Sequence, residues 1–198
     1  KISICALYFS CADKCIAWTS GGNWAYGGGA DRDALKGSRR AHFMQNQAFI
    51  RDPEVFIAKL DDEVGKAWAA AQKNGNQLGI RLNVFSDVSP TVYEDLMRKY
   101  PDVQFYDYTK IYKRAVKYIK GQLPNNYHLT YSLNEDNKKR AFNTLKLGGN
   151  ISAVFRKYIP NNFKGFKVVN ADNSDLRFKD PKNVICGLKA KGKAIKDF

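Results

Sequence analysis

Between Leu78 and Phe155 the chain repeats one pattern, a short run of branched and aromatic residues followed by a stretch with helical spacing. Leu78–Phe85 (LGIRLNVF), Val103–Tyr108, Tyr127–Tyr131 and Ile151–Phe155 read as strands. Between them, helices are expected from Ser89 to about Tyr100, from Ile111 to Lys120, and from Glu135 to Leu147, the last ended by Gly148-Gly149. The strand centres lie roughly two dozen residues apart, close to the minimum for a right-handed parallel βαβ unit. The fold class is therefore α/β with a parallel sheet. Phe166–Asn170 and Val184–Leu188 supply two further strands, and Ile2–Cys5 a short first one. Six or seven parallel strands in a chain of 198 residues point to a complete or partial TIM-like barrel, with an open doubly wound sheet as the alternative.

Upstream, Asp52 stands in N-cap position before Pro53, and Phe56, Leu60, Val64, Trp68 and Ala71 recur at helical spacing, so a helix is expected over 52–73. No domain boundary is visible, and the length suits a single α/β domain. Residues 1–50 form a cysteine- and glycine-rich loop region, and 177–198 a basic C-terminal segment. The chain starts at Lys1 with neither Met nor signal peptide, so a processed start or an omitted upstream piece is expected.

Lys and Arg number 33 and Asp and Glu 19, giving a net charge of +14. That excess makes a polyanion the leading class of partner. Hydrophobic residues at 44% and aromatics at 13% exclude a disordered basic tail, and no apolar run is long enough to cross a bilayer. A folded, soluble protein with no membrane partner is expected, and its oligomeric state is left open. With two histidines, a Ser-His-Asp or Cys-His apparatus has little material. Gly21-Gly22 and Gly27-Gly28-Gly29 lack a following Gly-Lys-Ser/Thr, which excludes a phosphate-loop triphosphatase.

In either architecture a ligand site lies at the carboxyl ends of the strands. Ser86 and Asp87 follow the first strand; Asp107, Thr109 and Lys110 close the second; Ser132, Asn134 and Glu135 follow the third; Arg156 follows the fourth. Asp172, Asp175 and Arg177 follow the fifth, and Lys189 and Lys191 the last. Arg81 and Asn83 lie inside an apolar strand and share a face two residues apart. A charge there needs a partner or a ligand, so Arg81 either pairs, with Asp107 as the candidate, or contacts a ligand in the barrel mouth. Asp87, Asp107 and Glu135 could also bind Mg²⁺ for phosphodiester chemistry, though their spacing is not diagnostic.

Three of the four cysteines fall within eleven residues as Cys5-x5-Cys11-x3-Cys15. Three thiolates in a short loop can hold zinc, with Cys186, His42 or His128 as a fourth ligand, or an iron–sulfur cluster with one iron left open. Reduced core cysteines, or one disulfide and an odd thiol, are the alternatives.

The cysteine cluster, the strand Arg81-Leu82-Asn83 closing in Ser86-Asp87, "PDVQFYDYTK" at 101–110, "NNYHLTYS" at 125–132 and "GLKAKGKA" at 187–194 together resemble a family of phage-encoded proteins with an N-terminal three-cysteine motif. Their layout in turn looks like the partial barrel of radical S-adenosylmethionine enzymes. That resemblance implies a [4Fe-4S] cluster on Cys5, Cys11 and Cys15, and S-adenosylmethionine held near Asn83, Ser86 and Asp87. Two departures stand against it: the cysteine spacing is five and three rather than three and two, and the usual Gly-Gly-Glu segment is absent.

Lys110, Lys113, Arg114, Lys117 and Lys120 are interleaved with Tyr108, Tyr112 and Tyr118 and with no acid, the ingredients of single-strand nucleic-acid binding or of a solvated helix face. Arg39 and Arg40 add phosphate donors in the N-terminal region. The expected function is an iron–sulfur, radical-S-adenosylmethionine-like enzyme acting on nucleic acid or a nucleotide in the host cytoplasm. Asp87, Asp107 and Lys110 would be catalytic, and Arg39, Arg40, Lys113, Arg114, Lys117, Arg156, Lys189 and Lys191 would hold nucleic acid. The alternative is a non-enzymatic, basic nucleic-acid-binding phage protein with structural zinc or a metal-free cysteine cluster.

Overall fold

Asp52 caps α1 (Pro53–Lys73), its carboxylate accepting the Val55 N–H at 3.0 Å. Pro53 follows at N1, where no backbone N–H is needed, and Glu54 and Lys73 complement the helix dipole at its two ends. The computed structural model describes residues 47–83 and 86–190. They divide between two units, one of residues 1–78 and 85–88, which holds α1, and one of residues 79–84 and 89–198, which holds the sheet. The strand expected at Ile2–Cys5, the glycine-rich loop and the end of the basic tail lie outside the described residues.

The second unit is built on a seven-stranded, mostly parallel sheet among the described residues. Its strands are β1 (Gly79–Arg81), β2 (Gln104–Thr109), β3 (Tyr127–Ser132), β4 (Ile151–Phe155), β5 (Asn162–Phe163), β6 (Phe166–Asn170) and β7 (Ile185–Lys189). The spatial order is β1-β2-β3-β4-β7-β6-β5, with every neighbour parallel except the β5–β6 pair, a short antiparallel hairpin. The βα rhythm of the sequence survives as β1 to β4 laid side by side in chain order. A 3₁₀ turn (Pro90–Tyr93) running into α2 (Glu94–Lys99) links β1 to β2, α3 (Tyr112–Ile119) links β2 to β3, and α4 (Lys138–Lys146) links β3 to β4. Gly148, at φ 90°, ends α4 in the left-handed region where a side chain would be strained.

β1 is shorter than its apolar run suggested, because the chain leaves the sheet at Leu82. After β4 the order breaks. The chain makes the β5–β6 hairpin, then returns through residues 171–184 to insert β7 between β4 and β6. This parallel return contains no α-helix, only a 3₁₀ turn at Arg177–Lys179 that packs on β2 and β3.

Alternation divides the sheet chemically. One face carries Tyr131, Ile151, Ala153, Val168 and Ile185, which form the main core with Ala115 of α3 and Ala141 and Leu145 of α4. Asn126 secures the approach to β2 and β3, its Nδ2 lying 2.9–3.1 Å from the carbonyls of Met97, Tyr100 and Val103.

Candidate functional site: the polar face of the sheet

The opposite face is polar on β1 to β3 and turns apolar towards β6 and β7, where Val169, Cys186 and Leu188 pack with Ala171 and Val184. Strand register aligns Arg81 with Tyr106, Tyr106 with His128, Tyr108 with Thr130, Ser132 with Ser152, and Ser152 with Cys186. Across this face lies the 171–184 return, hereafter the strap. Asp175 on the strap is met by Arg81 Nη1, the Tyr106 hydroxyl and the Tyr108 hydroxyl, each at 3.3 Å. The Arg81 guanidinium stacks 4.6 Å over the Tyr108 ring, and Tyr106 meets Phe178 edge-on with ring centroids 5.5 Å apart. Burial, then the Asp175 charge, raises the Tyr106 hydroxyl above its ordinary range, so it remains a donor at neutral pH.

The strap is anchored beneath this cluster. Arg177 is 1% exposed, pairs with Asp180 at 3.1 Å, and donates to the Ala171 and Ser174 carbonyls. The Cys186 thiol donates to the same Asp180 oxygen at 3.3 Å, and burial, then the Asp180 charge, pushes its pKa up to about 12. A buried thiol in that state is neither a nucleophile nor a ready thiolate ligand. His128 is held neutral, its pKa pushed down to about 4 by burial and then by Arg177. It shares a 3.0 Å hydrogen bond with Tyr118, beside the stretch of β3 that β4 does not pair.

Asp107, on the other face of β2, is 1% exposed. Its carboxylate accepts the Asn83 backbone N–H at 2.6 Å, Asn83 Nδ2 at 2.9 Å and the Tyr127 hydroxyl at 3.3 Å. Burial outweighs these hydrogen bonds and pushes its pKa up to about 7. Asn83 and Arg81 thus diverge, against the expectation of a shared face. β1 ends at Arg81, so strict alternation stops there; Arg81 pairs with Asp175, while Asn83 engages the carboxylate expected to partner Arg81.

Lys110 sits half-buried one residue beyond β2, and Arg156 is exposed one residue beyond β4. Lys189 ends β7, where its N–H donates to Asp172 at 2.9 Å. Lys113 and Lys117 are exposed on α3, with Arg114 half-buried between them. Ser86 and Asp87 belong to the unit of α1, with Asp87 buried there. Cys5, Cys11, Cys15, Arg39, Arg40 and Lys191 lie outside the described residues. Among the described residues no group of three or more His, Cys, Asp or Glu is placed to hold a metal ion, and no helix is long and apolar enough to cross a membrane.

The sequence reading passed over Tyr106, took Tyr108 only as an aromatic interleaved with the basic segment, and did not single out Asp175 among the acids after β6. The signal available was the alternation in QFYDYT, which puts Tyr106 and Tyr108 on one face, beside Arg81 if the strands pair in parallel.

The Gene product 88 family matches residues 26–197, nearly the whole of this arrangement. The chain belongs to that family. No curated protein and no solved structure matches it. The match runs through the sheet, the strap and the helical connections alike, and so covers both the polar face and its anchors.

Proposed function

We propose that this chain is an iron–sulfur, radical-S-adenosylmethionine-type enzyme acting on a nucleic acid or nucleotide, with the polar face of the sheet as the substrate side of a partial barrel. The observation that carries the reading is the asymmetry of the two faces. In a doubly wound sheet helices cover both faces and the strands are apolar throughout. Here α3 and α4 pack against the core of β3 and β4, while on β1 to β4 the other face presents Arg81, Tyr106, Tyr108, His128, Thr130, Ser132 and Ser152, and only its β6–β7 side is apolar. That is the chemistry of a barrel interior that receives a ligand.

Three thiolates are the donor set that a cluster with one open iron takes, and Cys5, Cys11 and Cys15 would hold it. When bound, the cluster and its sulfonium cofactor supply one-electron chemistry for hydrogen abstraction. The chain's own contribution is positioning. Lys110 and Arg156 at the carboxyl rim would take substrate phosphates, and Asp107 fixes the segment after β1 through Asn83.

A second reading, a non-enzymatic nucleic-acid binder with structural zinc or no metal, is favoured by one observation. Lys113, Lys117 and Lys120 are exposed along α3 and its C-terminal end at helical spacing, an electrostatic strip for a phosphate backbone.

Purification without oxygen or chelators, followed by iron, sulfide and zinc analysis and a visible spectrum, tests the first reading. Iron with sulfide and a brown chromophore lost in Cys11→Ala is the expected result; stoichiometric zinc or no metal overturns it. For the second, affinity for single-stranded DNA should fall steeply with salt, with a smaller slope in a Lys113→Ala, Lys117→Ala variant. Absence of binding at low salt overturns both nucleic-acid readings.

A further inference from the structure

Three donors converge on Asp175 in a way that does not suit a structural carboxylate. Charge-assisted bonds to a carboxylate run at about 2.7–2.9 Å from a guanidinium and about 2.5–2.7 Å from a hydroxyl. All three contacts here are 3.3 Å, and the Asp175 side chain is 57% exposed. The donors themselves are held firmly from behind, Arg81 by the Tyr108 ring and Tyr106 by Phe178. A preorganised set of three donors is thus loosely filled by an exposed anion.

We propose that Arg81, Tyr106 and Tyr108 form a binding site for a phosphate group, and that Asp175 occupies it as an internal stand-in until a phosphorylated ligand displaces it. The proposal rests on the reading of this face as the substrate side and specifies what it binds. One guanidinium and two hydroxyls offer a tetrahedral anion donors from separate directions, where a planar carboxylate on a short side chain reaches them only at arm's length. Displacement does not require the strap to lift. Arg177 and Phe178 anchor it, so rotation of Asp175 about its own side-chain bonds frees the donors. Turning Asp175 away removes one negative charge from beside these donors, in a chain whose overall charge of +14 already draws anions.

Titration of the full chain with inorganic phosphate, and separately with a short oligothymidylate lacking a terminal phosphate, tests this by calorimetry. Asp175→Asn should bind one of the two probes about tenfold more tightly than wild type, the factor expected if the self-occupied state holds about nine-tenths of the population. A gain with phosphate alone assigns the site to a terminal phosphate, and a gain with the oligonucleotide assigns it to a phosphodiester. The gain should vanish when Tyr108→Phe or Arg81→Met is added. Tyr108→Phe keeps the ring beneath Arg81 and removes only the hydroxyl, so it decides the matter should Arg81→Met fail to fold. Asp136→Asn, with the same change of charge at an exposed position elsewhere, should give no gain. No gain in Asp175→Asn with either probe, or a gain that survives Tyr108→Phe or is matched by Asp136→Asn, overturns the proposal. None of these outcomes depends on iron or sulfide, so failure here is distinct from failure of the cluster reading.

Discussion

Asn83 delivers both its backbone N–H and its side-chain Nδ2 to the buried carboxylate of Asp107, at 2.6 and 2.9 Å. The pair ties the chain leaving β1 to the middle of β2. Removing the carboxylate takes this acceptor from three donors, the two of Asn83 and the Tyr127 hydroxyl, in a site that is nearly closed to water, since Asn83 and Tyr127 are each 3% exposed. Asp107→Ala should therefore lose about 2–4 kcal/mol of stability, measured by urea denaturation. A loss below roughly 0.5 kcal/mol would show that the clasp contributes nothing beyond the ±0.5 kcal/mol of an ordinary surface change.

Buried Asp107 and half-buried His128 act on stability in opposite directions. Asp107 has a folded pKa of about 7, above its ordinary 3.8, so the folded state holds the extra proton and its contribution is full below about pH 4 and lost as pH rises through 7. His128 has a folded pKa of about 4, below its ordinary 6.5, so the unfolded state holds the extra proton and stability falls as pH drops from 6.5 towards 4. Between pH 4 and 6.5 the two oppose each other. Asp107→Asn should expose a profile that climbs more steeply with pH over that window than wild type, and His128→Gln one that climbs less steeply. Identical slopes in all three proteins would refute both assignments.

Gly187 of β7 is packed closely by the side chains of Ile159, Val168 and Phe155. A Cβ built there would sit 2.6 Å from Ile159 Cγ2 and 2.8 Å from Val168 Cγ1, too near for either to absorb without shifting. Gly187→Ala should cost about 1–3 kcal/mol by overpacking. Adding Ile159→Ala, which removes the nearest atom, should recover part of that loss; a double variant no better than the sum of the singles would place the strain elsewhere.

Arg177 and Asp180 hold the strap through an ion pair in which the arginine side chain is 1% exposed and the aspartate 17%. Arg177→Leu leaves the half-buried Asp180 carboxylate without its cation and empties a fully buried site of its hydrogen-bonded guanidinium, and should cost about 3–5 kcal/mol. The double variant Arg177→Leu, Asp180→Leu removes both charges and should be the more stable of the two. Thermal melts rank them directly, and a double variant less stable than the single would mean that Asp180 is held mainly by the Cys186 thiol.

Much of the fold was legible because its signals are local. The strand ISAVF (Ile151–Phe155), the cap at Asp52-Pro53 and the stop at Gly148-Gly149 each follow from residues a few positions apart, and the elements lie where those residues put them. The expectations for Ile111–Lys120 and Glu135–Leu147 came within one to three residues of α3 and α4, as fraying ends allow. Arg81 shows the opposite case. That a strand charge needs a partner was plain, yet the partner was sought on the neighbouring strand and found on the strap, 94 residues away in sequence.

The sequence by itself determined the βα rhythm, the mostly parallel sheet, the basic character and the kinship with a phage-encoded family. Only the tertiary structure decided which acids meet which bases, because β7 inserts between β4 and β6 and so draws an irregular return across the polar face. Hydrophobic periodicity reports which side of an element is buried, but it carries no information on which distant segment covers the other side. The pairing of Asp175 with Arg81, and of Asp107 with Asn83, follows from register and crossover, which exist only once the sheet is assembled.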